Sequence, residues 1–205
     1  SDGRRIYMAW MSNWRYANQV PSTGWRGQMT FPRSLSLRKV DDNYVIRQNP
    51  VKEIEQYYET VEVIKDKLIK TGQSEHIKLD ETSLDLIFKL NTTETEELNF
   101  RFVHPDEQET VIKFDLSKNQ AILQRKDYSD ANIPDLYNEP QPMPFYGKDE
   151  LVIRIIVDSS SLELFTDDGL EALTSLNYLE QLPQELVITS VKGDVEIIRG
   201  QISTL

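Results

Sequence analysis

Between residues 84 and 116 the apolar side chains fall on alternate positions. Leu84, Leu86, Phe88 and Leu90 share one parity against Asp85 and Lys89; Leu98, Phe100 and Phe102 repeat it against Asn99 and Arg101; Ile112, Phe114 and Leu116 repeat it against Lys113 and Asp115. A period of two sends successive side chains to opposite faces. The pattern therefore predicts three strands that turn one apolar face to a common core and the other largely to water. Ile87 is the exception on the wet parity. Polar residues 91–97 and 104–109 have the length of hairpin connections.

The last third repeats the signal. LVIRIIVD, the turn Ser159-Ser160-Ser161, LELFT, the turn Asp167-Asp168-Gly169 and LEALTSLNY predict two successive hairpins, and ELVITSV, Lys192-Gly193-Asp194 and VEIIRGQI predict a third. Residues 75–79 and 120–125 are weaker strands. Residues 128–149 hold Pro134, Pro140, Pro142 and Pro144, which predicts irregular structure that crosses between sheets or runs along an edge. At the other end, residues 4–11 read as a strand and 12–25 as a loop. Residues 28–31 and 34–40 read as strands interrupted by Pro32, and Asp41-Asp42-Asn43 turns the chain into 44–47 as a hairpin. Asn49-Pro50 closes that unit, and PVKEIEQYYE is a helical turn or an extended linker at a boundary. No segment of useful length has helical period. The pattern predicts an all-β chain divided into residues 1–50 and 51–205, the second part an antiparallel β-sandwich of about 150 residues.

Composition narrows the chemistry. The net charge of −11, from 34 acidic and 23 basic residues among 205, disfavours nucleic acid and anionic membrane surfaces as partners, because phosphate recognition needs a positive field. There is no cysteine and there are only two histidines, so no thiolate or histidine-rich metal site is expected, and no cofactor is implied. Apolar runs such as residues 151–157, broken by Arg154, are too short to span a bilayer, and no secretory leader opens the chain. The opening SDGRR lacks an initiator Met, which gives the expectation of a fragment of a longer chain.

Candidate chemistry concentrates in residues 6–37, which hold all three tryptophans, Trp10, Trp14 and Trp25, with Arg15, Arg26, Arg33, Asn13 and Asn18. Two readings fit. The indoles fill a β core and each gives its N–H a partner, or they wall a site for a polar ligand with apolar faces, such as a sugar. Elsewhere the residues offer turns. Asp158, Asp167 and Asp168 suit Asx bonding to backbone N–H groups, and Ser159, Ser160 and Ser161 have no histidine partner that would make a nucleophile. No isolated pair of carboxylates stands in an apolar context, as glycoside hydrolysis requires.

The run WMSNWRYANQVPSTGWRGQMTFPRSLSL, with Trp-x-x-Asn-Trp-x-Tyr, then Trp-Arg-Gly, then Pro-Arg-x-Leu-x-Leu, resembles the end of the catalytic domain of glycoside hydrolase family 32, the levanase, inulinase and invertase family. The likeness continues through DDNYVIRQNPVKEIE and returns in VDSSSLELFTDDGLEALTS. It implies the last blades of a five-bladed β-propeller followed by a β-sandwich, and retaining hydrolysis of β-fructofuranosyl bonds in levan, inulin or sucrose by two carboxylates. The family's Asn-Asp-Pro-Asn-Gly, Arg-Asp-Pro and Glu-Cys motifs do not occur in this sequence, so no catalytic residue is assigned to it. By the resemblance, Trp14 lines the fructose pocket and stacks on the sugar, and Asn13 bonds its hydroxyls. Trp10, Trp25 and Arg26 first support the blade and are secondary substrate contacts. The partners implied are fructan or sucrose in the full-length enzyme and the N-terminal propeller. Cut blade edges imply that the remnant pairs with another copy, folds onto the sandwich or is disordered, and the family suggests a secreted or periplasmic location. The sandwich is either a carbohydrate-binding tether or a scaffold.

Overall fold

The computed structural model describes residues 2–20, 26–105, 108–126, 135–147, 149–178 and 181–204. Strands β1 (Arg5–Tyr7), β2 (Arg33–Val40) and β3 (Asn43–Pro50) are followed by a 3-10 turn at Lys52–Tyr57. Then come β4 (Glu59–Ile69), β5 (Ser74–Lys78), β6 (Leu84–Asn91), β7 (Glu97–Val103), β8 (Glu109–Asp115) and β9 (Gln120–Lys126). After the short helix α1 (Asp135–Asn138) the chain continues through β10 (Gln141–Pro144), β11 (Glu150–Asp158), β12 (Ser161–Thr166), β13 (Glu171–Leu176), β14 (Glu185–Lys192) and β15 (Val195–Thr204). The first three strands make one sheet in the order β1-β2-β3. The rest make two six-stranded sheets, β10-β9-β8-β7-β14-β5 and β13-β12-β11-β6-β15-β4, in which every pairing is antiparallel.

The apolar parities meet between these two sheets. Leu86, Phe88 and Leu90 of β6 face Leu98 and Phe100 of β7 and Ile112 of β8, all at 0% exposure. Phe88, Phe100, Phe114 and Phe145 cross the core as a chain of edge-to-face rings, with centroids 5.4, 5.8 and 5.8 Å apart. That geometry sets the positive edge of one ring on the negative face of the next.

Two expected connections are corrected. The third hairpin does not form: β14 pairs with β7 and β5, whereas β15 pairs with β6 and β4 in the opposite sheet. Residues 91–97 likewise carry the chain from β6 to β7 across the sandwich. The two crossings lie side by side, where Glu96 N–H donates to the Lys192 carbonyl at 2.8 Å and Thr95 Oγ1 to the Asp194 carbonyl at 2.6 Å. Gly193 makes this approach possible. Its φ is +82°, and a Cβ there would stand 1.8 Å from the Glu94 carbonyl oxygen, so any other residue would clash as well as strain. Within residues 128–149 the structure has α1 and an edge strand, β10, rather than irregular chain throughout. Pro142 and Pro144 are accommodated because β10 pairs only with β9 and needs no second row of donors. Pro134 lies outside the described residues.

The outer face of the second six-stranded sheet is not wet, and this sets the position of the N-terminal sheet. Every residue of β12 is buried: Leu162 and Leu164 point into the core, while Glu163 and Phe165 meet the chain around β2. Glu163 Oε1 accepts the Phe31 N–H at 2.6 Å and Oε2 accepts Arg33 Nη2 at 2.5 Å. Arg33 also donates Nη1 to Gln48 Oε1 at 2.8 Å and lies 4.9 Å above the Phe165 ring. Both ions are buried, with side-chain exposures of 5% and 1%. Burial pushes the Glu163 carboxyl up from its ordinary range, while Arg33 and the Phe31 N–H pull the other way. Asp85, expected on a wet face, is 1% exposed and holds Arg154 through Nε at 3.0 Å and Nη2 at 2.6 Å. Arg154 donates in turn to the Tyr58 hydroxyl at 2.8 Å, which ties the end of the 3-10 turn to the sheet. Burial, then Asp85, raises the Tyr58 hydroxyl well above its usual range.

A turn of the sandwich completes the docking. Gln48 N–H donates to the Gly169 carbonyl at 2.7 Å, Asn49 Nδ2 to Asp168 Oδ1 at 2.9 Å, and Arg47 binds both the carbonyl and the carboxylate of Asp168. Asp158 and Asp167 bond backbone N–H groups as expected, Asp167 those of Tyr146 and Gly147 and Asp158 that of Ser159 with the Ser83 hydroxyl, whereas the Asp168 carboxylate holds the Arg47 and Asn49 side chains across the junction. Removing one member of a buried ion pair leaves the other unpaired and costs about 3 to 5 kcal/mol. Arg33→Met and Glu163→Leu are therefore each expected to lower the unfolding free energy by about 3 kcal/mol, whereas the double variant should lose clearly less than their sum, what remains including the Phe31 N–H left without its acceptor. Urea denaturation of the single and double variants measures both, and an additive pair would contradict the coupling.

Candidate functional site

The tryptophan segment leaves β1 and folds back on itself. Trp10 forms an isolated antiparallel bridge with Met29. Around it, Met11 N–H donates to the Gln28 carbonyl at 2.9 Å, Thr30 N–H to the Ala9 carbonyl at 2.8 Å, and Ala9 N–H to Thr30 Oγ1 at 3.0 Å. Expected strands at 4–11 and 28–31 thus shorten to β1 and this bridge, because Pro32 cannot donate to extend the ladder. Asn13 then reverses the chain. Its Oδ1 accepts the Arg15 N–H at 2.9 Å, and its carbonyl accepts those of Tyr16 at 3.0 Å and Ala17 at 2.8 Å. One side-chain oxygen of Asn13 is thereby committed to an Asx turn.

Trp14 stands at the head of that turn, 83% exposed. Its ring centroid is 4.7 Å from that of Trp10, with the planes tilted by 54°, and Trp10 is half-buried. A solvent-exposed indole resting on a second indole is an apolar platform with a polar N–H, suited to the C–H face of a sugar ring. Arg26 is exposed, with Nη1 3.5 Å from Asn18 Oδ1. Trp25 lies outside the described residues. The structure thus brings Trp10, Asn13 and Trp14 together on one surface.

Below the platform, Met11, Ala17 and Val20 are buried, and Tyr16 meets Tyr137 of α1 edge-on with centroids 5.8 Å apart. The sandwich also reaches the segment through Ser160, whose hydroxyl donates to Gln28 Oε1 at 2.9 Å. Neither Tyr137 nor Glu163 was legible as part of this region, since one lies in a proline-rich stretch and the other reads as the solvated parity of a strand. Ile87 and Phe165 were the available signals that the outer face is covered.

Between β3, the 3-10 turn and the outer face of the sandwich lies a cleft of about 430 Å³, lined by Asn49, Lys52, Ile87, Arg154 and Phe165 among others. Three of its charged lining residues are paired, Arg154 with Asp85, Asp168 with Arg47 and Arg4 with Glu53, and Lys52 and Glu55 line it as well. Glu53 is held down to about 2 by Arg4. The buried carboxylates Asp85 and Glu163 are each committed to an arginine on the sandwich's outer face. Among the described residues no group of His, Cys, Asp or Glu could hold a metal ion, and no helix is long and apolar enough to cross a membrane.

Comparison with known proteins agrees with this geometry. Residues 1–50 match the glycosyl hydrolases family 32 N-terminal domain, and residues 51–204 match the glycosyl hydrolases family 32 C terminal. The chain is 29% identical over 208 residues to a levanase of Bacillus subtilis, covering 96% of this chain and 30% of that protein. It is 31% identical over 183 residues to a sucrose-6-phosphate hydrolase of Zymomonas mobilis, covering 86% of this chain and 33% of that protein. The crystal structure of exo-inulinase from Aspergillus awamori superimposes with a TM-score of 0.86 at 22% identity, over 100% of this chain and 41% of that one. Fructan 1-exohydrolase IIa from Cichorium intybus does so with a TM-score of 0.77 at 18% identity, over 98% and 45%. The chain thus spans about a third of the two relatives compared in sequence. Its architecture is an antiparallel β-sandwich preceded by the last strands of a five-bladed β-propeller, and the chain belongs to glycosyl hydrolase family 32.

Proposed function

We propose that this chain is the C-terminal part of a fructan-degrading glycoside hydrolase that cleaves β-fructofuranosyl bonds in levan, inulin or sucrose. In this reading residues 1–50 close the catalytic propeller and residues 51–205 form the sandwich. The observation that carries it is Trp14, held 83% exposed on Trp10 within the segment that matches the family's N-terminal domain. Trp14 stacks on the fructosyl ring, and Asn13 keeps its side-chain nitrogen for a sugar hydroxyl while its oxygen shapes the turn. Trp10 supports Trp14, and Arg26 and Trp25 are, by the family resemblance, secondary substrate contacts. Relatives named levanase and sucrose-6-phosphate hydrolase support the substrate class.

The sandwich acts as a scaffold in this reading. The outer face of β12 is spent on docking β2 and its approach. The large exposed apolar side chains gather in the N-terminal part, where Leu37 and Ile46 are register partners at 70% and 56% exposure, next to Tyr44 at 72%. That face is where the rest of the propeller packs, and without it the same face and the sheet edges pair with a second copy. Size-exclusion chromatography with light scattering should therefore give a dimer or larger species for the 205-residue chain, and a clean monomer would contradict the pairing.

A retaining hydrolase needs two carboxyl groups about 5 to 5.5 Å apart across the glycosidic bond. The family's three acidic motifs do not occur in this sequence, and the buried acids are held in ion pairs. Each missing group removes orders of magnitude in rate. This chain alone is expected to release no fructose from sucrose, inulin or levan above a buffer blank in a reducing-sugar assay. Measurable turnover would overturn that expectation.

A further inference from the structure

We propose that Tyr16 and Tyr137 are positioning residues, through which the sandwich fixes the orientation of the turn that carries Trp14. The inference rests on the reading of Trp14 as a sugar contact and adds to it a role for the sandwich at the substrate wall.

Tyr137 is pinned on several sides. It is fully buried in α1, its hydroxyl donates to the Leu176 carbonyl at 2.7 Å, and the same oxygen accepts the Tyr178 N–H at 3.2 Å. The Arg125 guanidinium carbon lies 3.7 Å from the ring centroid. Arg125 is itself 3% exposed. It donates to the Leu176 carbonyl at 2.7 Å, to Ser175 Oγ at 3.3 Å and to the Tyr137 carbonyl. The oxygens that Arg125 meets here are neutral, and the electron-rich ring face beside it adds a cation–π contact, so Arg125 and Tyr137 hold each other in place. Tyr16 meets this fixed ring edge-on at 5.8 Å.

Tyr16 sits two residues beyond Trp14 in the same turn. The bonds that shape the turn are local: the N–H groups of Arg15, Tyr16 and Ala17 donate to Asn13, and that of Gln19 donates to the Tyr16 carbonyl at 2.8 Å. They define its form but not its tilt against the blade. That tilt is set on one side by the Trp10–Met29 bridge and on the other by the Tyr16–Tyr137 contact, with Ala17 and Val20 buried beneath the turn. Half-buried Tyr16 therefore works as the inward anchor of a lever whose outward arm is Trp14.

Fluorine NMR of the full 205-residue chain carrying 5-fluorotryptophan, with Trp14→Phe to assign the signal, tests this directly. Tyr16→Leu should shift the Trp14 resonance and split or broaden it while the urea midpoint stays near the parent's. Tyr16→Phe, which keeps the ring, should restore a single sharp line. Tyr137→Phe should keep that line even though loss of its hydroxyl bonds lowers the midpoint. A Trp14 resonance unmoved and equally sharp in Tyr16→Leu would overturn the proposal, as would failure of Tyr16→Phe to restore it. No sugar is present, so the result does not depend on whether Trp14 binds fructosyl units.

Discussion

One buried ion pair, Arg33 with Glu163, holds two parts of the chain in register. Glu163 sits in the middle of β12, yet its carboxylate points away from the sandwich core and receives both the Arg33 guanidinium and the Phe31 N–H. A carboxylate at 1% side-chain exposure persists there only because both its oxygens are bonded. Pro32 lies between the two donors and removes a competing ladder bond, so the chain enters β2 already fixed against the sandwich. The contacts from β3 to the Asp168 turn and from Tyr58 to Arg154 then follow on the same outer face.

This constraint gives the sandwich its role. A free β-sandwich would have a solvated outer face, and the Asp85 and Glu163 parities would be charged surface. Glu163 is covered by the chain around β2 and Asp85 is paired with Arg154 beside Tyr58, so both acids become paired interior charges. The same covering brings α1 and the Ser160 turn up to the tryptophan segment. The sandwich thus lies beneath the turn that carries Trp14 as well as beside the N-terminal sheet. Among the described residues its exposed surface offers few aromatic rings on which a sugar could stack, Tyr57 and Tyr146 being the large exposed aromatics after residue 50.

Much of the sandwich was legible because a period of two reports the inner face directly, as in Leu86, Phe88 and Leu90. Its outer face was not, because a polar residue reads the same whether it meets water or an arginine. Ile87 and Phe165, apolar on the outward parity of their strands, were traces of the covering sheet. The crossing at Gly193 looked like a hairpin turn because local turn chemistry does not say which sheet the next strand joins. Strand β4 was missed for a related reason: at a sheet edge, sequence such as Glu62, Lys65, Asp66 and Lys67 interrupts the apolar alternation and guards against edge pairing. At the site, the tryptophans announced themselves by residue type. The turn made by Asn13 and the anchoring of Tyr16 by Tyr137 needed the fold, because their partners are local backbone in one case and a residue 121 positions away in the other.

The central claim is that Arg33 and Glu163 join the N-terminal sheet to the sandwich as one cooperative unit. Native-state hydrogen exchange at the Phe31 and Gln48 amides tests it most directly, since these donate to Glu163 and to the Gly169 carbonyl. The account predicts that both exchange slowly and together with the amides of β12 as denaturant is raised. Exchange of Phe31 and Gln48 at the rate of an unstructured peptide, with β12 still protected, would contradict it.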